Sequence, residues 1–282
     1  IGVEFADIFS ALGVEVTIVE MLEGLLPLMD ADLGQALARA FKKRGMRLLL
    51  DSRLARIDAA DGALQAIVVT PHGEETLTAG RVLVAVGRRP NVEDIGLERA
   101  GVRAERTGIP VDARMQTNVP GIYAIGDVTG GMQLAHVASA GGEVAAENAL
   151  GRSATLDLKT VPNCVYTDPE VASVGLTEAQ AREAGHDVKV GRFPLSASGK
   201  ARAYGDTDGF VKVISEDRFG ELLGLHIVAP HASDLIHEGG VALALEATLE
   251  EVIATVHAHP TLGEAVREAA LDALSQSLHL PG

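Results

Sequence analysis

A helix followed directly by a β-branched strand opens the chain, and this order constrains the fold more than any other feature. Apolar side chains recur at helical spacing as far as Leu12, and Gly13 is suited to end that helix. A β-branched segment over 14–19 then predicts a strand that ends at Glu20. Asp30 is a good N-cap for a second helix.

Later segments alternate between strands and turns. The second helix carries one apolar face, formed by Leu33, Leu37, Ala40 and Phe41. Short strands are predicted over 46–50, 53–58, 64–70 and 75–78, with a turn at Asp61-Gly62. The apolar run Val82–Val86 predicts a strand buried on both faces.

Two changes of pattern divide the chain. Gly87-Arg88-Arg89-Pro90-Asn91 interrupts the strands, and a short region with a predicted strand at 122–125 and a small-residue helix reaching Ala149 follows. A second boundary lies near Lys159–Pro162. Beyond it, strands precede clustered helices, which favours an α+β domain. Two capping boxes are predicted there, Thr177 with Gln180 and Thr248 with Glu251.

Composition excludes several classes of function. The 282 residues are 47% hydrophobic but only 3% aromatic, with a net charge of −15. Few aromatics and a negative charge argue against nucleic-acid and anionic-membrane partners, and no apolar run is long enough to span a bilayer. Cys164 is the single cysteine, so no intramolecular disulfide can form. This fits a reducing cytoplasm, with Cys164 either a small buried hydrophobe or a catalytic thiol.

The opening helix and strand suit a dinucleotide site. Gly2 has the position of the last glycine of G-x-G-x-x-G, just inside the helix, and Glu20 ends the next strand, where an acid binds ribose hydroxyls. A carboxylate there favours NAD over NADP, because it repels a 2′-phosphate. The alternative is an ordinary helix–strand unit with a surface glutamate.

A second candidate site follows the predicted strand Ile122–Ile125. Asp127 comes after Gly126 and has the chemistry to accept hydrogen bonds from ligand hydroxyls, although a helix N-cap or turn aspartate explains it equally. Leu134-Ala135-His136 begins the next helix, whose N–H groups suit an electron-rich ring edge.

The C-terminal segment His257-Ala258-His259-Pro260-Thr261-Leu262-Gly263-Glu264 carries the equipment of a general acid/base. The imidazole of His259 exchanges protons near neutral pH, and Glu264 is placed to orient it. The alternative is structural, because Thr261 and Glu264 have the spacing of a capping box. His257 and His259 lack a third ligand, so no metal site is expected.

Taken together, these segments resemble the flavin-dependent pyridine nucleotide–disulfide oxidoreductases, most closely the members that oxidise dihydrolipoamide. The matching segments follow the family's order along nearly the whole chain. They are Ile1–Ala6, Val86–Asn91, Ala124–Val128, Leu134–His136, Tyr166–Gly175 and His257–Ala265.

The resemblance implies a mixed fold, α/β and α+β, in three parts. Residues 1–90 are expected to form a truncated Rossmann-like NAD-binding domain, 91–158 a central FAD-contacting region, and 159–282 a C-terminal α+β dimerisation domain. The missing glycines and first strand indicate the C-terminal part of a longer enzyme.

The resemblance also assigns roles and cofactors, FAD and NAD. His259 is implied as the acid/base for the dithiol and Glu264 as its orienting partner, completing the active site of a second subunit. Asp127 is implied to bind the FAD ribitol, with Gln133, Leu134, Ala135 and His136 along the flavin. The NAD site is implied to contain Gly2, Glu4, Glu20, Leu54 and Gly87.

The expected activity of the longer enzyme is oxidation of protein-bound dihydrolipoamide with NAD as acceptor, in a 2-oxo acid dehydrogenase complex. Its expected partners are a second copy, paired through residues 159–282, and the lipoyl domain. The fragment itself, without a cysteine pair, is expected to be inactive. Alternatives are a redox-inert dimerisation or nucleotide-binding fragment, or a transhydrogenase, mercuric reductase or glutathione reductase.

Overall fold

The computed structural model describes residues 1–60 and 62–280, so Asp61 of the predicted turn lies outside the described residues. The chain divides into two compact units. The first combines Ile1–Ala85 with the residues from Pro162 onward, and the second is Val86–Val161.

Eight α-helices are found among the described residues. They are α1 (Gly2–Ala11), α2 (Ala31–Lys43), α3 (Ala135–Ala149), α4 (Glu178–Glu183), α5 (Gly199–Tyr204), α6 (Ala232–Ala244), α7 (Leu249–Ala254) and α8 (Glu264–Ala273). Asp30 caps α2 by accepting a hydrogen bond from the Asp32 amide, as predicted. Both predicted capping boxes are confirmed, at the starts of α4 and α7.

Ten strands form three sheets in the described part of the chain. They are β1 (Thr17–Val19), β2 (Arg47–Leu49), β3 (Arg53–Ala60), β4 (Ala63–Thr70), β5 (Gly73–Ala79), β6 (Asn163–Val165), β7 (Glu170–Gly175), β8 (Val188–Pro194), β9 (Phe210–Glu216) and β10 (Leu222–Ala229). β1 and β2 pair in parallel, and β3-β4-β5 is an antiparallel meander. The third sheet is antiparallel, in the order β6-β7-β10-β9-β8. The mixed α/β and α+β class is confirmed.

Helices cover both faces of the five-stranded sheet. Alternate residues of β10 point to opposite faces, so Leu225 and Ile227 join the core under α6 to α8 while Val228 joins the core under α2. The predicted apolar face of α2 supplies Leu33, Leu37 and Phe41, all fully buried. All eight residues of β10 are buried, because the strand is central and covered on both sides.

Two predicted strands are wrong. Val82–Val86 forms no strand, with Leu83 55%, Val84 67% and Val86 91% exposed. An apolar run becomes a buried strand only where neighbouring strands satisfy its N–H and C=O groups, and no strand among the described residues pairs with this run. Residues 122–125 form no strand either, only a single bridge from Tyr123 to Gln116 across a tight turn.

A buried lysine joins α2 to the sheet. Lys212 of β9 has 4% of its side chain exposed, and its Nζ lies 3.0 Å from Asp30, 2.9 Å from Asp32 and 2.9 Å from Glu178. Burial acts to lower the pKa of Lys212, but the three carboxylates outweigh it, so the net shift is upward. Lys212 is therefore an ammonium ion that ties the start of α2 and the start of α4 to β9.

Replacing Lys212 with methionine is expected to cost about 3–5 kcal/mol in the free energy of unfolding, because it leaves Asp30 buried without its cation. Urea unfolding of the chain measures this cost. Lys189→Met is the matched control, since Lys189 pairs with Asp217 at the surface and should contribute less than about 1 kcal/mol. Equal losses in the two variants would contradict the assignment.

Candidate active site and cofactor-contacting residues

His259 lies in the loop between α7 and α8, and Glu264 is the first residue of α8. Nδ1 of His259 is 2.8 Å from Oε1 of Glu264. The imidazole side chain is 79% exposed and the carboxylate 33% exposed. Nε2 of His259 has no hydrogen-bond partner among the described residues, so this nitrogen faces solvent with its lone pair or proton available.

Glu264 divides its two oxygens between the imidazole and the chain. Oε2 accepts the Thr261 amide at 2.9 Å, while the Thr261 hydroxyl donates to the Ala258 carbonyl. The alternative of a complete capping box is wrong, because α8 starts later, from Gly263, and has no side-chain cap. Burial acts to raise the pKa of Glu264, but the hydrogen bonds from the Thr261 amide and His259 outweigh it. The net shift of the pKa is downward, so the group is a carboxylate at neutral pH.

This arrangement is chemically that of an oriented base. A carboxylate that accepts from Nδ1–H fixes the tautomer of the ring and leaves Nε2 to take or give a proton. The same carboxylate stabilises the imidazolium that forms. The pair can therefore carry a proton for an exposed reactant.

In the second unit, an arginine joins two of the candidate flavin-contacting segments. Asp127 lies in a 3₁₀ turn, Gly126–Thr129, and its carboxylate accepts a hydrogen bond from Arg88 Nη1 at 2.7 Å. Arg88 Nη2 donates to the carbonyl of Gln133. Both members of the Arg88–Asp127 pair are about half-exposed, and a carboxylate has further lone pairs for a ligand hydroxyl.

Leu134, Ala135 and His136 lie at the start of α3. Leu134 is the N-cap of α3 and supplies no side-chain hydrogen bond to the helix. Gly87, also in this unit, has a φ of +103°, a conformation that favours glycine.

The remaining candidates belong to the first unit and are spread over several elements. Glu20 follows β1 and accepts the Leu22 amide through Oε1 at 2.9 Å. Leu54 lies in β3. Glu4 of α1 accepts the amide of Tyr166 at 3.1 Å, across the two sequence segments of this unit. Gly2 begins α1, and a Cβ there would lie 3.5 Å from that of Ala85, an ordinary contact.

Cys164 is a structural residue of β6. It is half-buried, and burial, with Glu170 and Asp234 nearby, raises the pKa of its thiol to about 11. A thiol of that pKa is a poor nucleophile at neutral pH, which favours the small-hydrophobe interpretation. Among residues 1–60 and 62–280, no cluster of three or more metal-binding side chains is present, and no helix has the length and apolarity to cross a bilayer.

Comparison with known families matches both parts of the chain. Residues 1–142 match "Pyridine nucleotide-disulphide oxidoreductase", and residues 161–270 match the dimerisation domain of the same family. The chain belongs to the pyridine nucleotide–disulphide oxidoreductases. The family uses FAD and NAD(H). The half-exposed Asp127 carboxylate fits a polyhydroxyl chain, and the Glu20 carboxylate fits a ribose diol.

Relatives with assigned names are dihydrolipoyl dehydrogenases. The chain is 42% identical to the one from Thermus scotoductus, over 99% of this chain and 61% of that protein. It is 44% identical to the one from Chlamydia muridarum, over 100% of this chain and 60% of that protein. The chain thus spans about three fifths of the length of these relatives.

Solved structures of the family share the fold. LpdA from Mycobacterium tuberculosis superposes with a TM-score of 0.86 at 33% identity, over 94% of this chain and 58% of that one. The HOCl-induced flavoprotein disulfide reductase RclA from Escherichia coli superposes with a TM-score of 0.85 at 28% identity, over 95% of this chain and 61% of that one.

Sequence reasoning missed two residues that hold the candidates in place. Arg88 lies within the Val86–Asn91 segment, but no sequence pattern indicates that its side chain reaches Asp127. Glu238 of α6 binds His257, but no sequence pattern indicates this contact. A glutamate on a helix is typical of the surface, and the two residues are 19 positions apart.

Cys164 should react with iodoacetamide about 100-fold more slowly in the native chain than in urea at the same pH. The expected factor follows from a thiol pKa raised from 9.0 to about 11, which lowers the thiolate fraction about 100-fold. Mass spectrometry of time-quenched samples gives both rates. Equal rates in the two states would show a reactive thiol and reopen the catalytic interpretation of Cys164.

Proposed function

We propose that this chain is the C-terminal part of a FAD-dependent dihydrolipoyl dehydrogenase. The longer enzyme would oxidise protein-bound dihydrolipoamide, with NAD as acceptor, in a 2-oxo acid dehydrogenase complex. The observation that carries the proposal is the His259–Glu264 pair, with Nδ1 held by a carboxylate at 2.8 Å and Nε2 open to solvent. Names of the relatives, at 42% and 44% identity, support the same substrate class.

The chemistry asked of His259 is proton transfer. A dithiol attacks a disulfide only as the thiolate, so a base must first remove a thiol proton. Nε2 of His259 accepts that proton, and Glu264 holds the ring and balances its positive charge. When bound, FAD and NAD supply the electron-transfer steps, which are the chemistry of the cofactors.

Each candidate residue has a cofactor role in this proposal. Asp127 would bind the FAD ribitol, and Gln133 to His136 would lie along the flavin. The NAD site would contain Gly2, Glu4, Glu20, Leu54 and Gly87. Support comes from the acceptor chemistry of Asp127 and Glu20.

We assign 1–90 to the NAD-binding domain, 91–158 to the central region and 159–282 to the dimerisation domain. The breaks between Ala85 and Val86 and between Val161 and Pro162 lie close to these boundaries and support them. The first and third parts share one compact unit, joined through Lys212 and α2. The proposed location is the cytoplasm, since a lone thiol fits a reducing compartment.

The proposed partners are a second copy of the chain, paired through residues 159–282, and the lipoyl domain that carries the dithiol. A family match to the dimerisation domain supports the homodimer. Exposed apolar side chains also support it, since Val241 is 61%, Leu245 74% and Val256 94% exposed, all within this part of the chain.

The 282 residues alone are proposed not to turn over lipoamide. One cysteine cannot form the redox disulfide, and Cys164 has a raised thiol pKa. The same observation favours a second candidate function, a redox-inert dimerisation fragment.

The natural protein, captured from its source cells with an antibody against this chain, is expected to be heavier than 282 residues and to show a flavin absorption band. In that protein, His259→Gln should lower dithiol oxidation about 10²–10⁴-fold, because proton transfer by a positioned side chain contributes that much. Oxidation of NADH by ferricyanide should be retained, since it needs no dithiol base.

His72→Gln is the matched control, because His72 is exposed in the turn before β5 and distant in sequence from the pair. A natural protein with the mass of 282 residues and no flavin band would refute the enzyme proposal and leave the inert fragment. A yellow, longer protein whose His259→Gln variant oxidises dithiol normally would refute the role of His259 alone.

The isolated chain is expected to sediment as a dimer at micromolar concentration, and Val241→Asp is expected to make it monomeric. Val241 lies in the last turn of α6, and Leu245, the C-cap of this helix, follows four residues later. A buried carboxylate in an apolar interface is strongly unfavourable. Leu28→Asp, at a residue 85% exposed outside the proposed interface, should remain dimeric. Sedimentation velocity distinguishes the forms, and a wild-type monomer would contradict the pairing.

A further inference from the structure

His257, two residues before His259 along the chain, forms a second histidine–glutamate pair with Glu238. His257 has 9% of its side chain exposed, compared with 79% for His259. Nε2 of His257 lies 2.8 Å from Oε1 of Glu238 on α6, and Nδ1 lies 2.9 Å from the Thr255 carbonyl. The loop that carries His259 is therefore attached to α6 through a neighbouring ring.

Both ring nitrogens of His257 face oxygen acceptors. A neutral imidazole has one N–H and can satisfy only one of them, whereas the doubly protonated ring donates to both the carboxylate and the carbonyl. The ring is thus held by at least one hydrogen bond in either neutral tautomer, and by two when both nitrogens carry protons. His259 differs in kind, because one nitrogen is held and the other is open.

The anchor of His257 is a rigid part of the fold. Glu238 stands between Ile236, which is fully buried, and Gly239, where a Cβ would lie 2.6 Å from the Leu225 side chain. That close approach presses α6 onto β10 and allows little movement of Glu238.

His257 also lies near the far end of the loop. A Cβ added to Gly263, the residue before Glu264, would lie 3.6 Å from Cδ2 of His257. The ring is therefore hydrogen-bonded to the start of the loop at Thr255 and lies close to its end at Gly263.

We propose that His257, held by Glu238, is a positioning residue for the acid/base pair. It fixes the 255–263 loop so that Nδ1–H of His259 meets Glu264 and Nε2 faces the reactant. The proposal rests on the proposed role of His259. The His257–Glu238 and His259–Glu264 contacts that it describes lie within this chain and require no cofactor.

The test is ring ¹⁵N NMR of the 282-residue chain, labelled at histidine, at alkaline pH where exposed imidazoles are neutral. In the wild type, His259 is expected to be mainly the Nδ1–H tautomer, because Glu264 accepts that proton. His257→Leu should change the tautomer ratio of His259 about tenfold, the loss expected when a charge-assisted hydrogen bond is broken. His259→Gln identifies the signal.

Two further variants separate positioning from general destabilisation. His237→Leu makes the same replacement at an exposed histidine beside Glu238 and should leave the His259 ratio unchanged. His257→Gln keeps a side-chain donor for Glu238 and should restore most of the wild-type ratio. Urea unfolding of each variant shows that the spectra come from folded protein.

An unchanged His259 ratio in folded His257→Leu would overturn the proposal. So would an equal change in His237→Leu, or no recovery in His257→Gln. If His257→Leu fails to fold, Glu238→Gln, which keeps a weaker acceptor for His257, should give a partial change, and no change there would equally overturn it. Because no turnover is measured, these outcomes are independent of whether the longer enzyme oxidises dihydrolipoamide.

Discussion

The ammonium group of Lys212 is the interaction on which the first unit depends. It is buried between the five-stranded sheet and α2, where an unpaired charge would cost several kcal/mol. Three carboxylates from two helices therefore have to approach it, and each approach fixes the helix that carries it. Asp30 does so while also capping α2, so a single carboxylate sets both the start of this helix and its position on the sheet.

Because Lys212 holds α2 on one face, the five-stranded sheet has helices packed on both of its faces. With α2 on one side, the other side is free to hold α6, α7 and α8, whose packing on β10 and β8 carries the 255–263 loop. The loop needs little apolar contact of its own. Side chains from the packed helices hold it, Glu238 from α6 and Glu264 from α8. A reactive imidazole can then be 79% exposed and still keep one orientation.

Sequence reasoning worked where the signal was local. The apolar face of α2, its Asp30 cap and the two capping boxes depend on residues two to four apart, and all are present. It failed where the outcome depends on distant neighbours. Val82–Val86 has the composition of a buried strand, but composition cannot show whether another strand lies beside it. Lys212 and Glu238 look like surface residues in the sequence, and only the tertiary fold brings each to its partner. The pairing of His259 with Glu264 could be predicted because only four residues separate them.

Asp30 and Glu264 are both kept ionised by their hydrogen-bond donors. Burial acts to raise the pKa of Asp30 and of Glu264, yet hydrogen bonds from backbone amides and from Lys212 or His259 hold each pKa below its ordinary value. A group whose pKa is lower in the folded state contributes stability above its unfolded pKa and loses it as the pH falls through the folded one. The ion pair between Lys212 and Asp30 that holds α2, and the hydrogen bond that orients His259, therefore weaken together as the pH falls. Both remain intact in the neutral range, where a histidine is useful as a base, so the conditions that allow the proton chemistry are those that keep its scaffold assembled.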